Sequence, residues 1–135
     1  MLFETNRDKG RAGMAIGIAW FGANGYTVNI PLNDTQWYDF VAEKDGKFYT
    51  VQCKATGADG NRLSLRTCGG VHRRTVGTVI DYPLDYLFCI DAEQHMYLIP
   101  VPELAKKGNV SAITLRTKPA NNNQGFPTEK YLVEL

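Results

Sequence analysis

Within the stretch WYDFVAEKDGKFYTVQCKA (37–55), Asp39, Gln52 and Lys54 are residue types that suit work on a phosphodiester. Side chains alternate along a strand, so Phe48, Thr50, Gln52 and Lys54 share one face and Tyr49, Val51, Cys53 and Ala55 the other. The second face is apolar and suits a core. The first turns polar toward its end. An Asp45-Gly46 turn folds the chain back and can bring Asp39 toward that end. A carboxylate, an amide oxygen and an ammonium then converge, with the Cys53 carbonyl between them. Hard cations such as Mg²⁺ take oxygen ligands, one or two of them carboxylates, and complete their shell with water and substrate phosphate. A lysine beside such an ion can orient or deprotonate the attacking water and offset phosphate charge. An ordinary hairpin satisfies the same short spacing, with Lys54 snorkelling, Gln52 solvated and Asp39 marking a strand end.

The elements that must position these residues follow from the pattern. Residues 12–23, AGMAIGIAWFGA, predict a helix with Met14, Ile18 and Phe21 on one stripe, Trp20 near it, and glycines that permit close packing on a sheet. Asn6 or Asp8 is the expected N-cap, and Asn24-Gly25 the stop. YTVNIPL (26–32) predicts a strand, WYDFVAE and KFYTVQCKA a hairpin, and RLSLRT (62–67) a further alternating strand. Residues 68–83 predict a loop or a poorly formed helix. DYLFCID and MYLIPV predict a second hairpin around Glu93-Gln94. PELAKK predicts a short helix with Pro102 in its first turn. AITLR (112–116) is the last expected strand, and a polar stretch containing NNNQG (121–125) precedes KYLVEL. This order predicts one α/β domain over residues 1–135 with a mixed, mostly antiparallel sheet flanked by helices.

Residues 9–55, KGRAGMAIGIAWFGANGYTVNIPLNDTQWYDFVAEKDGKFYTVQCKA, resemble the PD-(D/E)xK nuclease superfamily. They most resemble its small stand-alone members, typified by intron-encoded homing endonucleases and archaeal-type Holliday-junction resolvases. The match rests on the helix before the meander, the Gly-Tyr opening the first strand, the Tyr-Asp pair and the VQCK strand. A weaker match continues through RLSLRT, DYLFCID, MYLIPVPEL and ITLR. The resemblance implies a restriction-endonuclease-like core and a divalent-metal-dependent DNA endonuclease using Mg²⁺, with Mn²⁺ able to substitute. It implies Asp39 as the metal-binding aspartate, Gln52 in the place of the second acid, Lys54 as the catalytic lysine and the Cys53 carbonyl as a metal ligand. Glutamine at that place points to the homing-type branch.

A second departure lies on the first helix, where many relatives carry a glutamate about a dozen residues before the Gly-Tyr. Counting back from Gly25-Tyr26 places Met14 there. Asp39 is then the one clear anionic ligand, which weakens cation binding. Three accounts stand open. Glu4 or Asp8 supplies the acid, Asp39 works alone with water-filled coordination, or the protein binds DNA with weak or no cleavage.

The expected partner is DNA, as a duplex or a four-way junction. Arg62 and Arg66 share a strand face, and His72, Arg73 and Arg74 follow Gly69-Gly70, where the glycines permit close approach to a phosphate backbone. Arg7, Lys9 and Arg11 add cations near the N-terminus. NNNQG could reach a groove, since Asn and Gln pair with adenine edges. The balance of 15 Lys and Arg against 14 Asp and Glu leaves a net charge of +1, so any basic surface must be local. One site per chain implies a homodimer or higher homo-oligomer for cutting two strands. The odd count of three cysteines, without a Cys-x-x-Cys pair, points away from zinc and disulfides toward reduced thiols. With no long apolar run and an N-terminus that turns charged early, the expectation is a soluble, cytoplasmic protein, phage- or intron-encoded origins included. His95 is expected as a surface residue.

Overall fold

A computed structural model describes residues 5–33, 36–56, 62–67, 77–108 and 110–135. The basic segment His72, Arg73 and Arg74 lies outside the described residues, as do Glu4 and Cys68.

The first helix, α1 (Asn6–Ala23), begins six residues before the expected start. Thr5, not Asn6 or Asp8, is its N-cap. The Thr5 hydroxyl accepts the Asp8 N–H at 3.1 Å and the Asp8 carboxylate accepts the Thr5 N–H at 3.1 Å, a reciprocal capping box that lets a polar first turn form. The buried stripe also differs from the apolar one. Gly13, Gly17, Trp20 and Phe21 face the protein, while Met14 and Ile18 are only partly covered. Backbone thus approaches backbone: a Cβ at Gly13 would stand 3.7 Å from the Lys54 carbonyl carbon.

Strands β1 (Thr27–Asn29), β2 (Phe40–Lys44) and β3 (Lys47–Ala55) form an antiparallel meander. Between β2 and β3, Asp45 and Gly46 both have positive φ, 53° and 77°, the backbone of a tight two-residue hairpin turn. After β3 come β4 (Arg62–Ser64), β5 (Arg66–Thr67) and β6 (Gly77–Thr78), the last followed by a short 3₁₀ turn at Val79–Asp81. The second hairpin is β7 (Tyr86–Ile90) and β8 (Met96–Pro100), continuing into α2 (Val101–Ala105), β9 (Ala112–Thr114) and β10 (Leu132–Val133). The main sheet has the order β1-β2-β3-β7-β8-β10, in which β3 and β7 pair parallel and the other neighbours antiparallel. β4 pairs with β9, and β5 with β6, as small separate ribbons.

Several strands are shorter than expected, each for a local reason. β1 stops at Asn29, opposite Val41, one position short of Phe40 and just before Pro31, whose nitrogen has no hydrogen to donate to a ladder. Trp37–Asp39 precede β2 because the Asp39 carboxylate takes the next N–H of β3 in place of a strand partner. β9 ends at Thr114 because the Thr128 hydroxyl donates to the Thr114 carbonyl at 2.7 Å and accepts the Arg116 N–H at 3.0 Å. RLSLRT is split at the buried Leu65, whose N–H goes to the Ser111 carbonyl at 2.9 Å.

The sheet is covered on both faces. Trp20 and Phe21 of α1 pack on Phe40, Ala42, Val51, Phe88 and Ile90. Phe21 is fully buried and meets Tyr26 and Phe40 edge to face, with ring centroids 4.9 Å and 5.5 Å away. On the other face Leu87, Cys89, Tyr97 and Ile99 pack beneath Leu63, Leu65, Ile113, Leu115 and Leu104. Burial on both sides explains why β7 reads as a continuous apolar run without alternation. Among the described residues no helix is long and apolar enough to cross a membrane.

Candidate active site

The hairpin ladder ends at the Phe40–Val51 pair, and Asp39 sits just beyond it against the end of β3. The Asp39 N–H donates to the Val51 carbonyl at 2.8 Å, and the Asp39 Oδ2 accepts the Cys53 N–H at 2.7 Å. This carboxylate replaces β2 where β2 has not yet begun. In a strand the N–H and C=O of one residue project to the same side, so the Cys53 carbonyl points toward that same uncovered edge.

Cys53, Val51 and Ala55 face α1, and Gln52 and Lys54 face the opposite layer. There β5 lies over them. The Gln52 Nε2 donates to the Thr67 Oγ1 at 3.3 Å, and the Lys54 ammonium donates to the Arg66 carbonyl at 2.7 Å. The Gln52 Oε1 is buried and has no hydrogen-bond partner among the described residues. A buried polar oxygen without a partner is rare and costly. Thr67 is itself buried. Sequence reasoning missed both Thr67 and the Arg66 carbonyl.

Asp39, the Gln52 oxygen and the Cys53 carbonyl are all hard oxygen donors, the set that suits Mg²⁺ or Mn²⁺. The Cys53 sulfur belongs to the other face, where a Cβ added at Gly17 would meet it at 2.8 Å. Burial, then the Asp39 carboxylate and Cys89, push its thiol well above the usual 9.0. No group of three His, Cys, Asp or Glu side chains that could hold a metal ion gathers among the described residues.

Met14 stands where the resemblance puts an acid. A cleft of about 190 Å³ is lined by Met14, the 30–33 segment, Gln36, Tyr38 and Asp39. Asp8 is engaged elsewhere: its Oδ2 accepts the Thr5 N–H, and its Oδ1 lies 3.8 Å from the Arg11 guanidinium. The helix-capping role explains why an acid sits at position 8 without any part in the cleft.

Exposure alternates without a break from Arg62 to Thr67, so Arg62, Ser64 and Arg66 are turned outward. His95 is more than a surface residue. Its Nδ1 lies 2.8 Å from the Oδ2 of Asp91, which is 3% exposed and also accepts the backbone N–H groups of Glu93 and His95. That cluster closes the β7–β8 turn. Asn121–Asn123 form a short 3₁₀ turn, and the carbonyl of the next residue, Gln124, accepts Arg116 Nη1 at 3.0 Å.

Comparison with known proteins agrees with this architecture. A solved bacterial homing endonuclease, I-Ssp6803I, superposes with a TM-score of 0.67 at 23% identity, covering 95% of this chain and 88% of that one. At that identity the likeness shows the fold, a restriction-endonuclease-like one. No curated protein matches the chain. The family model for PD-(D/E)XK endonucleases matches residues 4–130, taking in α1, the meander and both layers over the sheet. The chain belongs to the PD-(D/E)XK endonuclease family.

Proposed function

We propose that the protein is a divalent-metal-dependent DNA endonuclease that cleaves duplex DNA in the homing manner, with four-way junctions as the competing substrate. The observation that carries this reading is the Asp39 carboxylate fixed on the Cys53 N–H at 2.7 Å, between Gln52, whose Oε1 is buried and unpartnered among the described residues, and Lys54. Asp39, Gln52 and the Cys53 carbonyl would hold the cation. When bound, the cation supplies Lewis-acid stabilisation of phosphate charge and a more acidic water. Lys54 keeps a fixed ammonium on the same strand face, restrained by the Arg66 carbonyl, where it orients the attacking water and offsets charge on the phosphate. Arg66 and Arg62 turn outward beside it, suited to phosphate contacts. Each chain offers one such site, so breaking both strands requires a second copy.

Met14 in the cleft beside Asp39 favours a second reading: DNA binding with weak cleavage. One experiment separates them. Supercoiled plasmid and a synthetic four-way junction are incubated with the protein in Mg²⁺ or Mn²⁺, with EDTA as control. Metal-dependent cutting that Asp39→Asn and Lys54→Ala abolish is the expected result. No cutting at any metal concentration, with none restored by Met14→Glu, refutes the enzyme reading. Salt-dependent DNA retention that Lys54→Ala leaves unchanged would then establish the binding module.

A further inference from the structure

The ribbon of β4 and β9 lies on the sheet face opposite α1, and its outer side is basic. Two clefts there, about 500 Å³ and 340 Å³, share Lys107, Arg116 and Gly125 among their lining residues. Arg62 lines the larger and Lys130 the smaller, so they form one groove. Its wall is prearranged. Arg116 donates from Nε to Glu129 at 2.8 Å and from Nη1 to the Gln124 carbonyl at 3.0 Å, with the Arg116 side chain only 16% exposed. Glu129, the one carboxylate in the lining, is thereby neutralised. Arg62, Lys107 and Lys130 form no ion pair within 4.0 Å among the described residues, although the Lys130 charge also acts on Glu129 beside it. In a chain whose total charge is +1, three such cations along one groove are a local concentration of positive charge.

The groove is joined to the candidate active site by a single piece of chain. Arg66 gives its carbonyl to Lys54, and Arg62, four residues earlier, lines the groove. An extended strand covers that interval in at most about 13 Å. The phosphates of one DNA strand rise about 3.4 Å per step along the helix axis and stand further apart along the backbone itself, so this distance spans more than one of them. A small anion would call for cations converging on a point. Cations strung along a groove that one stretch of chain ties to the site fit a polyanion.

We infer that this groove seats the sugar-phosphate backbone of the DNA that the site cuts, with Arg62, Lys107 and Lys130 as phosphate contacts. The inference rests on the cleavage reading and assigns the groove as the path of the substrate beyond the site. The test uses full-length protein carrying Asp39→Asn, in EDTA, so that binding is read without cutting. Fluorescence anisotropy with a labelled mixed-sequence duplex gives the affinity across a salt series. Each phosphate contact contributes about 0.9 to the slope of log K against log salt. Lys107→Ala with Lys130→Ala is expected to lower that slope by about 1.8. Lys47→Ala with Lys106→Ala removes the same charge outside the groove and leaves the slope in place, with circular dichroism confirming that both variants are folded. An unchanged slope in the groove variant, or an equal drop in both variants, overturns the inference while the cleavage reading stands. A parent protein that retains no duplex even at low salt overturns both.

Discussion

Replacing Gly17 by alanine tests whether the close approach of α1 to β3 sets the candidate site. An added Cβ would stand 2.8 Å from the Cys53 sulfur and 3.2 Å from Phe88 Cδ1. Comfortable contact begins at about 3.5–4.0 Å, so helix and strand must separate by roughly 1 Å. Overpacking of this kind costs about 1–3 kcal/mol. Glycine to alanine in a helix returns up to about 1 kcal/mol through propensity, which obscures the packing loss in a single variant. Gly10 supplies the reference. It lies in the same helix with nothing within 4 Å of its Cβ direction, so Gly10→Ala carries the propensity gain alone. The difference between the two variants isolates packing and is expected to be about 1–3 kcal/mol. Urea unfolding followed by tryptophan fluorescence measures it. Cys53→Ala removes the obstructing sulfur, so its effect in the Gly17→Ala background is expected to be non-additive and compensating. Because the Cys53 N–H is held by Asp39, DNA cleavage is expected to fall in Gly17→Ala and to persist in Gly10→Ala. Equal stability for the two glycine variants would refute the packing argument.

Thr67→Val keeps shape and removes the hydroxyl partner of the Gln52 amide; about 1–3 kcal/mol of stability and a lower cleavage rate at saturating DNA are expected, with Thr67→Ser restoring the rate. Unchanged rate with lowered stability would make Thr67 purely structural. The Arg116 hydrogen bond holds the Glu129 carboxyl below its usual 4.5, so its stabilising contribution is complete above pH 4.5 and is lost as pH falls through the lower folded value. Urea midpoints of wild type and Glu129→Gln should therefore differ at pH 6 and converge in acid; a constant gap down to pH 3 contradicts the assignment. Burial raises the thiol pKa of both Cys53 and Cys89, so peptide mapping after iodoacetamide at pH 8 should find both unmodified in folded protein and modified in urea.

The parts of this structure visible in the sequence are those with local causes. Asp45-Gly46 announces its hairpin because both residues tolerate positive φ, and alternation then assigns Gln52 and Lys54 to one face. The same turn brings Asp39 back to the polar end of that strand, where it holds the Cys53 N–H. What stayed hidden is long-range. Thr67 lies fifteen residues beyond Gln52, and no short pattern marks it as the partner of that amide. Nothing local distinguishes the parallel β3–β7 pairing from another antiparallel neighbour. The stripe of Met14, Ile18 and Phe21 misdirected the helix face because hydrophobicity ranks methionine above glycine, whereas close packing on β3 requires the smaller residue. The helix start was missed because Thr5 lies outside any apolar period and declares itself only through Asp8.

The parallel pairing of β3 with β7 also bears on when the protein becomes competent during folding. Val51–Ala55 cannot meet Tyr86–Ile90 until the intervening chain has closed into a crossover, a contact of long sequence separation that is slow to form. The partners of Gln52 and Lys54, Thr67 and the Arg66 carbonyl, lie within that crossover. The β2–β3 hairpin can therefore form early and still lack a completed site. On the proposed function, competence to cut DNA becomes a late event, withheld from unfinished chains. In refolding experiments cleavage is expected to return after far-UV dichroism, and simultaneous recovery would contradict this order.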